Sequence, residues 1–252
     1  MDRQDKIERE SLIRETFGPL AHQMAEEKLQ EVQAKGGNLL PSNVYIKQQE
    51  QSILQTLDKQ LLFVGETLQL ASEVLKKSID LLPLAKKQEV EEEMQKAFDG
   101  LMTQIDDPFK ADGTKSLQES LGLSNKTLLW MYQAGHEAFV QKNYKEAHAV
   151  FFLLTILNAL VSDYWTALGM SQRHLNLESE ALYAFATASI LNPDKPLPRY
   201  HSADIYCALG QIEDAEIEVE ELSRIAQTLH DKEWDRTVEN LQAKIRLGRK
   251  AS

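Results

Sequence analysis

The chain has 252 residues, of which 42% are hydrophobic and 27% charged, a length and composition typical of one or two domains with buried cores. Its 39 acidic and 28 basic residues give a net charge of −11 at pH 7. Because phosphate neutralisation supplies most nucleic-acid affinity, a chain this acidic is not expected to bind nucleic acid. The single cysteine, Cys207, excludes an internal disulfide and a cysteine-cluster metal site.

The sequence predicts neither a membrane anchor nor a signal peptide. Its first residues, MDRQDKIERE, are charged throughout, unlike a signal peptide. The longest apolar run, residues 149–161, is shorter than the roughly 20 residues that a helix needs to span a bilayer. We therefore expect an intracellular protein in a reducing compartment, without stable membrane insertion. Export routes whose signals do not show in composition stay open.

The pattern of apolar residues predicts an all-α protein. Glycine and proline are few and are grouped in short breaks, between which apolar residues recur three and four positions apart. No stretch shows the alternating β-branched pattern of a strand. We place a domain boundary in the break at residues 106–115. This divides the chain into a helical N-terminal region, residues 1–115, and a second domain, residues 116–252.

The second domain repeats itself at a spacing of 34 residues. A shift of 34 places Gly135 on Gly169 and Phe151 on Phe185, and a further shift continues the pattern to Ala203. This period, with small and large residues at these positions, is typical of the tetratricopeptide repeat, a helix–turn–helix unit. Small residues are expected where the two helices of a unit cross, because only small side chains allow close approach.

Three repeats and a cap are predicted from this alignment. The repeats span about 128–161, 162–195 and 196–229, and a stripe of apolar residues predicts a capping helix over about 231–247. The third repeat departs most from the pattern, with Arg199 and Gln227 where tryptophan and proline are typical.

The first helix of each repeat is expected to line a concave surface that binds extended peptides or helices. The inward positions carry Leu129, Tyr132, His136 and Phe139 in the first repeat, Asp163, Thr166, Met170 and Arg173 in the second, and Leu197, Tyr200, Asp204 and Cys207 in the third. The apolar and aromatic wall of the first repeat suits an apolar anchor in an extended segment. Alternatively, Tyr132 and Phe139 pack against the chain's own N-terminal half. No carboxylate clamp is expected, since Tyr132 and His136 stand where such a clamp needs Lys, Arg or Asn.

Residues 126–222 resemble the tetratricopeptide-class chaperones of bacterial type III secretion, which hold hydrophobic, pore-forming translocator subunits. The resemblance is carried by NYKEAHAVF at 143–151, by DYWTALGMSQRHLNLESEALYAFATASILNP at 163–193, and by PLPRYHSADIYCALGQIEDAE at 196–216. It implies an aromatic pocket for the N-terminal segment of the client. The pocket falls on Tyr132, Phe139 and Tyr144, with His136 where an aromatic residue is usual.

The resemblance implies a cytoplasmic bacterial chaperone that keeps a translocator protein soluble and competent for export. Its partner would be a translocator or another secretion component, and a homodimer is also consistent with it. The resemblance does not cover residues 1–115, which could dimerise, cover the repeats or bind a second secretion component. An alternative function is therefore a structural scaffold or sorting component that acts through this N-terminal half.

Residues 149–161 predict a helix that is apolar on nearly every face, and such a helix should be buried on both sides. We expect residues 44–105 to cover it, with the client or a dimer partner as the competing explanation.

No motif predicts catalysis. Nucleotide-binding loops, zinc-protease motifs and hydrolase elbows are not found, and the six histidines form no metal-binding pair. The acidic cluster Glu89–Glu93 is interpreted as a solvated helix face, and Cys207 as a small packed residue. We expect a protein that is not an enzyme and that holds no cofactor and no metal.

Overall fold

The structure, a computed structural model, describes residues 3–35, 37, 41–106 and 115–251. Within these ranges the chain forms eleven α-helices and no β-strand, which confirms the all-α prediction. None of the described helices is long and apolar enough to cross a membrane. Residues 107–114, where the sequence places the domain boundary, lie outside the described residues, and the boundary stays a prediction.

Helices of very different length make up the chain. They are α1 (Arg3–Ala34), α2 (Ser42–Ile79), α3 (Leu84–Asp106), α4 (Leu117–Ser120), α5 (Asn125–Val140), α6 (Tyr144–Leu157), α7 (Ser162–His174), α8 (Glu178–Leu191), α9 (Pro196–Leu209), α10 (Ile212–Leu229) and α11 (Lys232–Ala251). Two compact units result, residues 1–67 and residues 68–252.

The first unit has a small core of its own, built from α1 and the beginning of α2. Ile13, Ala21 and Leu54 are buried together there. An ion pair joins the same two helices, with Arg9 Nε 2.6 Å from Asp58 Oδ1 and both side chains mostly buried.

The second unit contains the three predicted repeats as the helix pairs α5/α6, α7/α8 and α9/α10. The turn within each pair places one residue in the left-handed region, at Lys142 (φ 63°), Asn176 (φ 58°) and Gly210 (φ 72°). In each turn the next amide donates to a carbonyl five residues earlier, as from Asn143 to Ala138 at 2.9 Å. These turns recur at the predicted spacing, which confirms the register of the repeats.

The two helices of a repeat cross at a glycine or alanine. A methyl group added at Gly169 would lie 2.7 Å from Cε1 of Phe185, and one at Gly135 would lie 2.9 Å from Cε1 of Phe151. Ala203, at the same position of the third repeat, is fully buried. The predicted close approach at small residues is therefore confirmed in the first two repeats.

The third repeat differs where its sequence departs from the pattern. Helices α6 and α8 end before Asn158 and Asn192, whose φ angles of −147° and −143° stop the helix. Helix α10 instead continues to Leu229 and ends at His230, whose φ of 52° lies in the left-handed region.

The predicted cap is confirmed as α11, which extends to Ala251. Val238, Leu241 and Ile245 of the cap are buried against Leu222 of α10, and Trp234 is partly buried beside them.

Helix α6 is buried on more than one side, as its apolar surface requires. Phe151 and Leu154 belong to one core cluster with side chains from the end of α2 and from α3, such as Leu75 and Val90. Val150 is fully buried in the same cluster. Residues between positions 70 and 97, from α2 and α3, thus supply part of the cover that the sequence predicts from residues 44–105.

Glu93 departs from the solvated face predicted for the acidic cluster, on which Glu89, Glu91 and Glu92 are exposed. Its Oε2 atom accepts hydrogen bonds from the Thr127 hydroxyl at 2.5 Å and from the Ser124 amide at 3.1 Å, at the beginning of α5. Partial burial raises the pKa of this carboxyl, but the hydrogen bonds and the charge of Lys126 outweigh burial and hold the pKa below its usual value. The hydrogen bonds of Glu93 therefore hold α3 against the beginning of α5.

Replacing Gly169 by alanine should destabilise the second unit, because the new methyl group meets the fully buried ring of Phe185. We expect a loss of about 1–3 kcal/mol in the free energy of unfolding, measured by urea denaturation. Gly100→Ala is the matched control, since no atom of the described side chains lies within 4 Å of a methyl group at that helical position. The control should be neutral or gain up to about 1 kcal/mol. Equal stabilities of the two variants would contradict the crossing described above.

A fragment of residues 116–252 should be much less stable than a fragment of residues 68–252. The shorter fragment lacks Val74, Leu75, Val90 and Ala97, which are buried in the core of the first repeat. Each buried aliphatic side chain contributes roughly 1.5–3 kcal/mol, so the loss should lower the thermal midpoint markedly and cause aggregation. Circular dichroism melting and size-exclusion chromatography measure both effects. Equal melting of the two fragments would show that α2 and α3 contribute nothing to the repeats.

Candidate peptide-binding groove

Helices α5, α7 and α9 carry the side chains predicted to face the groove, except Tyr144, which begins α6. Most of these side chains are at least partly accessible, and Leu129 is 56% exposed. Thr166 differs, because it is only 6% exposed and its hydroxyl donates to the carbonyl of Ser162 at 2.9 Å. Although Thr166 holds a position predicted to face the groove, its side chain is buried among the helices. The partly exposed set is Tyr132, Phe139, Tyr144, Met170, Arg173, Tyr200, Asp204 and Cys207, with His136, Asp163 and Leu197 more exposed.

Two clusters of rings form the apolar part of the site. In the first ring cluster, the centroid of Tyr132 lies 5.4 Å from that of Phe151 and 6.0 Å from that of Tyr164. The partners of Tyr132 thus come from α6 and α7.

In the second ring cluster, Phe139 lies 5.3 Å from Tyr144 and 5.2 Å from His174, both edge-on. Tyr144 and His174 stack with their planes 5° apart. The ring contacts of Tyr132 and Phe139 are therefore made within the repeats. The pocket implied by the resemblance is divided, with Tyr132 in one cluster and Phe139 and Tyr144 in the other.

Tyr164 and His174 were missed from the sequence. Each stands one residue after an inward position, Asp163 and Arg173 respectively. A groove prediction that admitted aromatic residues flanking the inward positions would have found both.

An ionic network joins the second and third repeats to the cap. The Arg173 guanidinium of α7 donates to Asp204 of α9, and Nζ of Lys244 in α11 donates to the other oxygen of Asp204 at 2.5 Å. Burial raises the pKa of Asp204, but Lys244 and Arg173 outweigh burial and hold the pKa below its usual value. Two of the predicted binding residues, Arg173 and Asp204, are thus held in place by each other.

His201 completes this ionic network as a neutral ring. Nη1 of Arg173 lies 3.0 Å from Nδ1 of His201, and because arginine can only donate, Nδ1 accepts and Nε2 carries the proton. Nε2 is buried, with no hydrogen-bond partner among the described residues. Burial, and then the charge of Arg173, lower the pKa of His201 to about 4.

Asp163 lies at the second repeat and pairs with Lys195, at the beginning of α9. Asp163 is more exposed than Lys195. The arrangement of the whole site is therefore an aromatic surface at the first and second repeats, followed by polar, paired side chains at the second and third.

His148 packs inside the first repeat as an ordinary buried histidine. It is buried in α6, where burial lowers its pKa, and its ring lies 6.1 Å from that of Phe152. His136, which belongs to the same repeat, is exposed on α5. Within the described parts of the chain, no three metal-ligating side chains lie together.

No family model matches the chain. It is 24% identical over 107 residues to low calcium response locus protein H of Yersinia pestis, and the match covers 42% of this chain. The match spans 62% of that relative, less than two thirds of its length.

The chain is also similar in structure to two solved proteins of type III secretion. A type III secretion complex from Aeromonas hydrophila is 19% identical, with a TM-score of 0.50, and the match covers 54% of this chain and 90% of that one. The Yersinia enterocolitica chaperone SycD, in complex with a peptide of the translocator YopD, is 18% identical, with a TM-score of 0.45 and coverage of 50% and 95%. The fold is tetratricopeptide-like, with helix pairs whose turns recur every 34 residues, as the likeness to the Aeromonas hydrophila complex also indicates.

His201→Asn should weaken the pH dependence of stability. The folded His201 stays neutral down to about pH 4, whereas the unfolded ring titrates near 6.5, so between these values the unfolded chain binds more protons. The free energy of unfolding therefore falls as the pH drops from about 6.5 to about 4, and His201 contributes up to about 3 kcal/mol of this fall. Asparagine keeps an acceptor for Arg173 without titrating. Urea unfolding at several pH values measures the difference, and parallel curves for wild type and variant would contradict the assignment.

Proposed function

We propose that this chain is a type III secretion chaperone of the bacterial cytoplasm, which binds a short extended segment of a hydrophobic translocator protein. The observation that carries the proposal is the pair of ring clusters. Tyr132 and Phe139 of α5 and Tyr144 at the beginning of α6 remain partly exposed beside Tyr164 and His174 of α7. The resemblance of residues 126–222 to translocator chaperones supports the same client class.

The ring clusters suit an apolar anchor from the client. Their side chains are aromatic and partly buried, so packing already holds the rings in place. The rings therefore lose little rotational freedom when a ligand covers their exposed surface. Leu129, which is more than half exposed, adds aliphatic surface at the beginning of the groove. An extended segment with apolar side chains on one side fits such a surface.

The mechanism is occlusion and requires no chemical step. Covering apolar client surface contributes about 25 cal/mol for each Å² removed from water. The net charge of −11 on the chaperone makes the complexes repel one another, and this repulsion keeps them in solution. We therefore propose a binding protein with no enzymatic activity and no cofactor.

A second candidate function is a scaffold or sorting role for the N-terminal part of the chain. The first unit has its own core, and it also exposes large apolar side chains on both helices, such as Leu12, Leu20, Leu61 and Phe63. An apolar surface of this kind is typical of a protein-binding face. It could bind another secretion component or a second copy of the chain.

The double substitution Tyr132→Ala and Phe139→Ala should abolish client binding without unfolding the repeats. Each partly buried ring is a candidate hot spot, and loss of one typically costs about 2 kcal/mol or more, so the two together should weaken binding more than about a hundredfold. Affinity capture from the native host with tagged full-length protein, read by mass spectrometry, measures this loss. Tyr183→Ala is the control, because Tyr183 is a large ring on α8 that is 68% exposed and lies edge-on to Trp165, outside both ring clusters.

Wild type and control should capture the same hydrophobic translocator, and the double variant should not. Co-expression with that translocator should keep it soluble only when the groove is intact. If the double variant captures secretion components as well as the wild type does, the groove is not the binding site. The scaffold function would then take its place.

A further inference from the structure

A cleft lies between α9 of the third repeat and the cap helix α11. Its volume is about 540 Å³, within the roughly 300–1,000 Å³ typical of ligand clefts. Tyr200 and Trp234 line it, with their rings edge to face and 6.2 Å apart. Leu197, also in the lining, is 37% exposed. The cleft thus offers aromatic and aliphatic surface that the chain itself leaves partly uncovered.

The cleft carries a surplus of positive charge. Lys244 lines it, and its ammonium shares the carboxylate of Asp204 with the guanidinium of Arg173. Two cations therefore meet one carboxylate, which leaves one positive charge in a chain whose net charge is −11. The Lys244 side chain is 56% exposed, so this charge is accessible to a ligand.

A second cleft, on α10 and α11, shows the contrast. It has a similar volume, about 570 Å³, but its charged lining consists of Glu216, Glu220, Arg224 and Arg246. Acids and bases balance there, and Glu216 is already paired with Arg249 at 2.7 Å. Among these two clefts, the α9–α11 cleft alone combines a ring pair with an unbalanced cation.

We propose that the α9–α11 cleft is a second anchor site for the client segment, which takes an apolar side chain that is followed by a carboxylate. Tyr200 stands at an inward position of α9 and also lines the cleft, so the cleft continues the groove toward the cap. The rings receive the apolar side chain, and Lys244 pairs with the carboxylate. This inference rests on the proposed function for the identity of its ligand.

Trp234 reports on this site directly, because the chain has only three tryptophans. Trp130 is buried in α5, and the indole of Trp165 donates to the carbonyl of Ala159 at 2.8 Å. Full-length protein labelled with 5-fluorotryptophan gives one fluorine resonance for each, and Trp234→Phe identifies the resonance of Trp234. The probes are N-acetyl-Leu-Asp-amide and N-acetyl-Leu-Lys-amide, titrated separately.

The Leu-Asp probe should shift the Trp234 resonance in a saturable way and leave Trp130 and Trp165 unchanged. The Leu-Lys probe should bind about two- to fivefold more weakly, the range expected for a partly exposed ion pair. Lys244→Met should remove this preference, while Asp204 keeps Arg173 as its partner. Arg246→Met, two residues further along α11 and lining the other cleft, should retain it.

The proposal is overturned if Trp234 does not respond, or if both probes bind equally to the wild type. It is also overturned if the client captured by the wild-type groove leaves the Trp234 resonance unchanged, because the cleft would then serve another ligand. The proposed function fails separately, through retention of the client by the Tyr132→Ala and Phe139→Ala variant. The two failures are therefore distinguishable.

Discussion

The close crossing of helices within each repeat is the contact on which the rest of the second unit depends. Gly135 faces Phe151, Gly169 faces Phe185, and neither glycine has room for a methyl group. This contact fixes the distance between the two helices of a unit, and the ring fills the space beside it. Because the same contact recurs at a spacing of 34 residues, successive units stack with one geometry. The first helices of successive units then lie side by side, and the proposed groove depends on this stacking.

A stack of only three units leaves the outer surface of its first member uncovered. Helix α6 has apolar residues on nearly every face, so its second side needs a partner within the chain. The end of α2 and helix α3 supply it through Leu75 and Val90, and the bonds from Thr127 and Ser124 to Glu93 fix α3 to the beginning of α5. The cap α11 has the corresponding role after the third repeat. The repeats, their cover and their cap therefore form one core-bearing unit.

The features that the sequence predicted well are local or periodic. The repeats, their turns at Lys142, Asn176 and Gly210, and the cap all depend on spacing within one segment. Such spacing is visible in a single sequence because helical and repeat periods are fixed by backbone geometry. Thr166 holds a predicted inward position, but its short side chain is buried among the helices, which the sequence position alone does not reveal.

The features that the sequence did not predict depend on contacts between distant segments. Glu93 sits in an acidic cluster that looks solvated, and its partners Thr127 and Ser124 lie in another helix. The ring of His174 joins Phe139 only when α5 and α7 pack side by side. Lys244 meets Asp204 across 40 positions of sequence. No pattern within one segment encodes these pairs, because each is decided by how the repeats stack.

The central claim, that the groove holds the client, is tested most directly by hydrogen–deuterium exchange of the full-length chain with and without its captured client. Bound client should slow amide exchange in α5, α7 and α9, which line the groove, and leave residues 1–67 unchanged. Protection confined to residues 1–67, with unchanged exchange in the groove helices, would contradict the claim and assign binding to the first unit.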